Sequence, residues 1–359
     1  MILVTTTGKA SMDTYVQRLS EQLPVQKIHT DIYDKQDFSV RLVSWKAVKT
    51  AWYNFHFIRQ LKRLRQPLHL PNCHFGRYGY FLSAPYIITV ADIMRYFDLK
   101  GLNCLIHQPN ILDKLYLNLD YEGVRRATAV IAISQKTKED LVQHLDIPTE
   151  RIFVTYPGID HSHFQPSLRR LIKSPYILFV GNEYPYKNIN NLIRAFYLLK
   201  QRTAFEDLKL VKVGTSGGRE GPFRERLLTL IQELDLENDI ILTGWVPYAD
   251  LPAYYSGANC FVLPSLYEGF GFPALEAMAC GCPVVVSNGG ALPETVGNVA
   301  PGVNPHDIQS IADAIDHILT DKSWRQALIE RGLKRSHEFT WERTAQGTLD
   351  IYRKVEQMI

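Results

Sequence analysis

Short apolar runs alternate along this chain of 359 residues with longer segments in which apolar side chains return every three or four positions. The runs at 2–6, 68–70, 86–90, 129–133 and 152–156 predict strands, and the segments at 11–23, 42–64, 111–126 and 136–145 predict helices. The second half repeats the scheme. Strands are predicted at 176–180, 208–213, 240–243, 260–263 and 283–286, and helices at 189–200, 223–234 and 307–319, with a last one beginning near Trp341. Strands alternating with helices imply parallel, doubly wound α/β sheets. Pro157-Gly158 and the polar run 166–175 read as a break between two domains, 1–166 and 167–340, followed by a terminal helical segment, 341–359.

Composition adds limits. With 46% hydrophobic residues the chain can fill two cores, and no window is apolar for long enough to span a bilayer. The strand-like start lacks the basic and apolar regions of a secretory signal, so a cytoplasmic location is expected. Five cysteines without a CxxC pair fit reduced thiols. The net charge of +3 is unevenly spread: residues 1–165 carry 20 Lys and Arg against 15 Asp and Glu, the remainder 20 against 22. Between Asp37 and Asp92 there is no acidic residue, while Arg41, Lys46, Lys49, Arg59, Lys62, Arg63, Arg65 and Arg77 are interleaved with aromatic residues. Two readings of segment 41–65 follow: a surface that meets an anionic membrane at its cytoplasmic face, or a surface helix whose positions 45, 48, 52 and 55 turn to the core. No recognition motif accompanies the charge, so nucleic acid is not an expected partner.

Chemistry concentrates in LPSLYEGFGFPALEAMACGCPVVVS, residues 263–287. A strand leads into a Gly-Phe-Gly-Phe-Pro turn, then a helix and another strand, with Glu268 before the turn and Glu276 in what should be the first helical turn. Gly269 and Gly271 let the backbone approach a ligand, and Pro273 suits the first helical position. Backbone N–H groups and the helix dipole there favour an anion such as phosphate, and a carboxylate like that of Glu276 can accept from both hydroxyls of a ribose. Lys187, at the mouth of the helix 189–200, is a candidate phosphate partner. Gly8, after the first strand, makes a turn at the same end of its sheet. The Gly-rich loop 214–221 lacks dinucleotide spacing, and neither GxGxxG nor a P-loop occurs.

Taken together, FVGNEYPYKNINNLIRAF, IILTGWV, FVLPSLYEGFGFPALEAMACGCPVVVSN, ALPETVG and EFTWERTA resemble the retaining glycosyltransferases of family 4 across about 175–345. PLHLPN, AVIAIS, TYPGID and HFQP extend the resemblance more loosely through the first half. The resemblance implies GT-B architecture: two facing Rossmann-like domains with a deep interdomain cleft, an N-terminal acceptor domain, a C-terminal donor domain, and a last helix that crosses back. It implies that Glu276 holds the donor ribose, that Glu268 contacts the transferred sugar, and that Lys187 pairs with the diphosphate. Gly271 and Phe272 would present N–H groups to phosphate or sugar, with Phe270 beside them and Gly8 facing the donor, and Trp245 and Val246 would lie near the nucleobase. No metal and no cofactor are implied beyond a nucleotide-sugar co-substrate, GDP-mannose or a UDP-hexose. The acceptor would be a glycan or a lipid-linked one.

Two departures from the family pattern bear on the site. Asn182 and Tyr186 stand where an arginine often shares the diphosphate, leaving Arg219 and Arg224 as alternative cations. An N-domain strand that commonly ends in His-Asp ends here in Ala91-Asp92, so His69, His74 or His107 would have to supply an imidazole. Glycosyl transfer from a nucleotide sugar is the expected activity. A degenerate homologue that binds without catalysis is the alternative, because the missing His and Arg are what it would lose.

Overall fold

A computed structural model describes residues 1–6, 11–32, 45–102, 105–216 and 221–359. Two of the site candidates, Gly8 and Arg219, lie outside these described residues. The chain forms two compact units. The first comprises Met1–Asn103, Gln108–Gly158 and Thr340–Ile359, and the second Cys104–His107 and Ile159–Phe339.

The first unit holds six strands: β1 (Ile2–Thr6), β2 (Gln26–Thr30), β3 (Leu68–Leu70), β4 (Tyr86–Val90), β5 (Ala129–Ala132) and β6 (Ile152–Val154). They form one sheet in the order β2-β1-β3-β4-β5-β6, every pair parallel. β4 and β5 are buried along their whole length, which is why they read as unbroken apolar runs. β2 has no counterpart in the sequence pattern: QKIHT is an edge strand with mostly outward-facing polar residues, held by its parallel register with β1. The helix Trp341–Glu356 packs within this unit. Thr340 caps it by accepting from the N–H of Arg343, and Tyr352 is buried against His69. Gly158 is required here, because a Cβ would sit 2.3 Å from the nitrogen of Trp341.

The second unit holds β7 (Tyr176–Val180), β8 (Lys209–Val213), β9 (Ile240–Gly244), β10 (Cys260–Leu263), β11 (Val284–Ser287) and β12 (Gly302–Val303). Their order is β12-β11-β10-β7-β8-β9, again all parallel. β7 is therefore flanked by β8 on one side and β10 on the other. The chain leaves their carboxyl ends in opposite directions, the topological switch point at which open α/β sheets present ligand-binding loops. The polar run 166–175, whose composition suggests a linker, is fastened to this unit. The N–H of Ser167 donates to Ser256 Oγ at 2.9 Å, and Arg170 donates to the Gly257 carbonyl at 3.0 Å. The helix Lys322–Ser336 escapes the pattern because few of its side chains are apolar; only Leu328, Gly332 and Ser336 are buried.

The helix Trp45–Arg63 corrects one expectation. Trp45, Val48, Trp52 and Phe55 do not face the core; all four are more than half exposed, and Thr50, Phe57 and Leu61 make the inner face instead. No helix among the described residues is long and apolar enough to cross a membrane.

Candidate active site

Two loops meet at the switch point of the second unit. The loop after β7 runs through Gly181 into a 3-10 turn, Pro185–Lys187, ahead of the helix Ile189–Lys200. Asn188 closes this turn in the left-handed conformation, φ 56°, and its side chain donates to the carbonyls of Pro264 and Pro305. The loop after β10 carries Glu268. The geometry joins them: Lys187 Nζ donates to Glu268 Oε1 at 2.6 Å, and Ser265 Oγ donates to the same oxygen at 2.7 Å. Both charged side chains are buried, 6% and 7% exposed. Burial opposes the charged form of Lys187, but the adjacent Glu268 carboxylate outweighs it and raises the ammonium's pKa well above the ordinary lysine value.

The Glu268 loop is clamped from behind by Asn288-Gly289-Gly290-Ala291. The N–H of Ala291 donates to the Glu268 carbonyl at 2.8 Å. Gly290 has φ 62°, and a Cβ there would lie 2.3 Å from the Glu268 carbonyl oxygen; one on Gly289 would lie 2.5 Å from that of Leu266. These two glycines are site-building residues that sequence reasoning missed. The signal was the Gly-Gly pair directly after an apolar strand.

The helix Phe272–Ala279 starts one residue earlier than expected. Gly271, φ 104°, is its N-cap, Pro273 is the second helical residue, and Glu276 falls in the second turn rather than the first. There Glu276 Oε2 accepts a hydrogen bond from the Tyr255 hydroxyl at 2.7 Å. Burial raises the Glu276 pKa to about 7, against the lowering influence of the Tyr255 hydrogen bond and the Lys187 charge. Tyr255 lies on a separate helix, Leu251–Gly257, and no local pattern marks it. Phe270 is buried, its ring edge-on to Phe272 at 5.2 Å and to Phe339 at 5.5 Å. Trp245, just past β9, is 73% exposed, and Val246 is half-buried.

The other candidates are distributed as follows. Asn182 Oδ1 accepts from the N–H of Tyr184 at 3.2 Å, a turn-forming bond. Arg224 grips Glu183, Nη2 at 2.6 Å and Nε at 3.0 Å, and shares that carboxylate with the fully buried Lys212 at 2.9 Å. Lys212, a charged residue inside an apolar strand, also donates to the carbonyls of Gly214 and Thr215. Asp92, in the first unit, accepts from the N–H of Met94 at 3.0 Å. His107 belongs to a short segment of the second unit, in which the Leu105 carbonyl accepts from the N–H of Tyr186 at 3.0 Å, next to Lys187. His69 is buried in the first unit between the Tyr352 and Thr89 hydroxyls, at 2.6 and 2.7 Å, and burial lowers its pKa to about 3. His74 faces Asp120 at 3.3 Å. Among the described residues, no group of three or more His, Cys, Asp or Glu is arranged to hold a metal ion.

The switch point of this parallel sheet thus presents a buried ammonium–carboxylate pair, with a second carboxylate on the helix that follows, at the place where open α/β sheets hold their ligands. The fold is GT-B, that of solved glycosyltransferases. A sucrose-phosphate synthase of Thermosynechococcus elongatus superposes with a TM-score of 0.77 at 22% identity, over 100% of this chain and 99% of that one. Anabaena HepE, solved in complex with UDP and glucose, gives 0.77 at 18% identity over 98% of each chain.

The chain belongs to the glycosyltransferases. Residues 12–163 match the family described as Glycosyltransferase Family 4, and residues 163–335 match Glycosyl transferases group 1. Escherichia coli O-antigen chain mannosyltransferase B is 31% identical over 270 residues, 73% of this chain and 70% of the relative. The serotype-specific mannosyltransferase WbdA of Escherichia coli is 34% identical over 246 residues, 65% of this chain but 29% of that longer protein. Glycosyl transfer is thus the activity of the family to which the residues at the switch point belong.

Proposed function

We propose that this protein transfers a hexose, of mannose or glucose type, from a nucleotide diphosphate sugar to a hydroxyl of a glycan or lipid-linked acceptor, with retention at the anomeric carbon and without a metal ion. The first unit takes the acceptor and the second takes the donor, GDP-mannose or a UDP-hexose. The observation that carries the reading is the Lys187–Glu268 pair at the switch point, with Glu276 nearby. The mannosyltransferase relatives favour mannose, and the nucleotide in the HepE complex supports a nucleoside diphosphate as the leaving group.

In this reading Glu276 accepts from the ribose hydroxyls, while Lys187 and the N–H groups of Gly271 and Phe272 stabilise charge developing on the diphosphate. Glu268 fixes the ammonium and meets the transferred sugar. With no nucleophile assigned, the acceptor oxygen attacks C1 on the face from which the diphosphate departs. The C1–O phosphate bond breaks, the C1–O acceptor bond forms, and the acceptor proton passes to the departing phosphate oxygen. Positioning and leaving-group stabilisation are then the protein's contribution.

The test is incubation of the purified chain with a panel of nucleotide sugars and candidate acceptors, following nucleoside diphosphate release together with the product anomer by NMR. Release coupled to a product of retained configuration is expected. An inverted anomer overturns retention, and donor binding with no turnover on any acceptor supports a non-catalytic homologue instead.

A further inference from the structure

The helix Trp45–Arg63 has two opposed apolar faces. One is accounted for: Phe57 and Leu61 are buried, and Asn54 accepts a hydrogen bond from the Tyr78 hydroxyl at 2.8 Å. These contacts fix the rotation of the helix and hold its other face outward. That outer face presents Trp45, Val48, Trp52 and Phe55, exposed by 82, 59, 54 and 55%. Single exposed hydrophobic residues are ordinary on a protein surface, but four aligned along about 15 Å of one helix face form a contiguous patch.

The charges beside the patch say what it fits. Lys49, Arg59 and Arg63 are exposed on the same side of the helix. Lys49 stands 5.8 Å from the Tyr53 ring centre and the Arg59 guanidinium 5.8 Å from that of Phe55. The sequence around them, from Asp37 to Asp92, contributes no acidic residue in between. Tryptophan has a flat apolar body and a polar N–H, and it settles at the boundary of headgroups and acyl chains, while flanking cations meet anionic lipid. We propose that this helix docks the protein on an anionic bilayer surface, with its aromatic face in the headgroup layer and its cations on lipid phosphates.

Flotation of the full chain with phosphatidylglycerol/phosphatidylcholine vesicles, against phosphatidylcholine alone, tests this. Binding is expected to be at least ~10-fold stronger to the anionic vesicles and to weaken as salt is raised. Trp45→Ser/Trp52→Ser should cut it at least ~10-fold, and Lys49→Glu/Arg59→Glu should remove the preference for anionic lipid. Because these side chains point into solvent, the unfolding midpoints of both double variants should match the parent, which separates lost docking from lost fold. No binding to anionic vesicles by the parent, or undiminished binding by Trp45→Ser/Trp52→Ser, overturns the proposal. So does a dimer, seen by sedimentation, that depends on the two tryptophans in the absence of vesicle binding.

Discussion

Lys187 and Glu268 lie 81 residues apart in the chain, yet their side chains form a 2.6 Å ion pair across adjacent parallel strands. Both are almost fully buried, so each supplies the charge that makes the other tolerable. Removing one partner should therefore cost more than removing both. Lys187→Met is expected to lower stability by about 3–5 kcal/mol by stranding Glu268, and Lys187→Met/Glu268→Gln to recover most of that loss. Denaturant unfolding of the two variants checks it, and equal destabilisation would contradict the pairing argument.

Transfer should not recover with stability. Lys187→Ala and Glu276→Ala are each expected to lower turnover by at least ~10²-fold, the scale of losing one preorganised contact at developing charge. Near-normal nucleoside diphosphate release by either purified variant would remove that residue from the site.

Glu276 titrates where it can be observed. Its folded pKa is raised to about 7, so its neutral form is favoured in the folded protein. The stability it contributes is complete below the unfolded carboxyl range and is lost as pH rises through about 7; Glu276→Gln should flatten this part of the stability profile. Donor affinity should move the other way, tightening as pH rises through about 7, since the ionised carboxylate is the better acceptor for two ribose hydroxyls. Calorimetric titration of the nucleoside diphosphate at several pH values measures this, and a profile unchanged in Glu276→Gln would exclude Glu276 as its source.

Gly290→Ala places a methyl group 2.3 Å from the Glu268 carbonyl oxygen, on a backbone already at φ 62°. The expected cost is on the order of 1–3 kcal/mol, with turnover reduced because the clamp on Glu268 must shift. Gly302→Ala, which meets nothing within 4 Å and has no positive φ, is the control. Equal unfolding midpoints for the two variants would show that the clamp is slack.

The two cations on Glu183 should differ. Lys212 is completely buried and also holds the Gly214 and Thr215 carbonyls, so Lys212→Met, which leaves Glu183 with Arg224 but strands those carbonyls, is expected to cost about 1–3 kcal/mol. Arg224 is 28% exposed and leaves Glu183 still paired with Lys212, so Arg224→Ala should cost about 1 kcal/mol or less. A large loss of donor affinity in stably folded Arg224→Ala would assign it a contact with the diphosphate.

His69 is neutral in the fold, its pKa lowered to about 3 by burial. Its contribution to stability is full above about 6.5 and declines as pH falls towards about 3. His69→Gln should therefore unfold less steeply with acid, and an imidazole step in a pH–rate profile should survive this substitution.

The chain's local chemistry determined much of this protein. Buried strands such as Tyr176–Val180 and Val284–Ser287 are apolar runs because both faces of a parallel sheet are covered, and that signal is local. Strand, Gly-rich turn, Pro and helix in 263–287 likewise announce a ligand loop, and the two glutamates are visible in it. The tertiary structure decided what those groups touch. Strand order is set by long-range pairing, so only the placement of β7 beside β10 brings Lys187 to Glu268, and only the packing of the helix Leu251–Gly257 brings Tyr255 to Glu276. The helix Trp45–Arg63 shows the same limit. Its aromatics occupy opposite faces, so periodicity gave a helix but could not say which face turned inward; burial of Phe57 and Leu61 did.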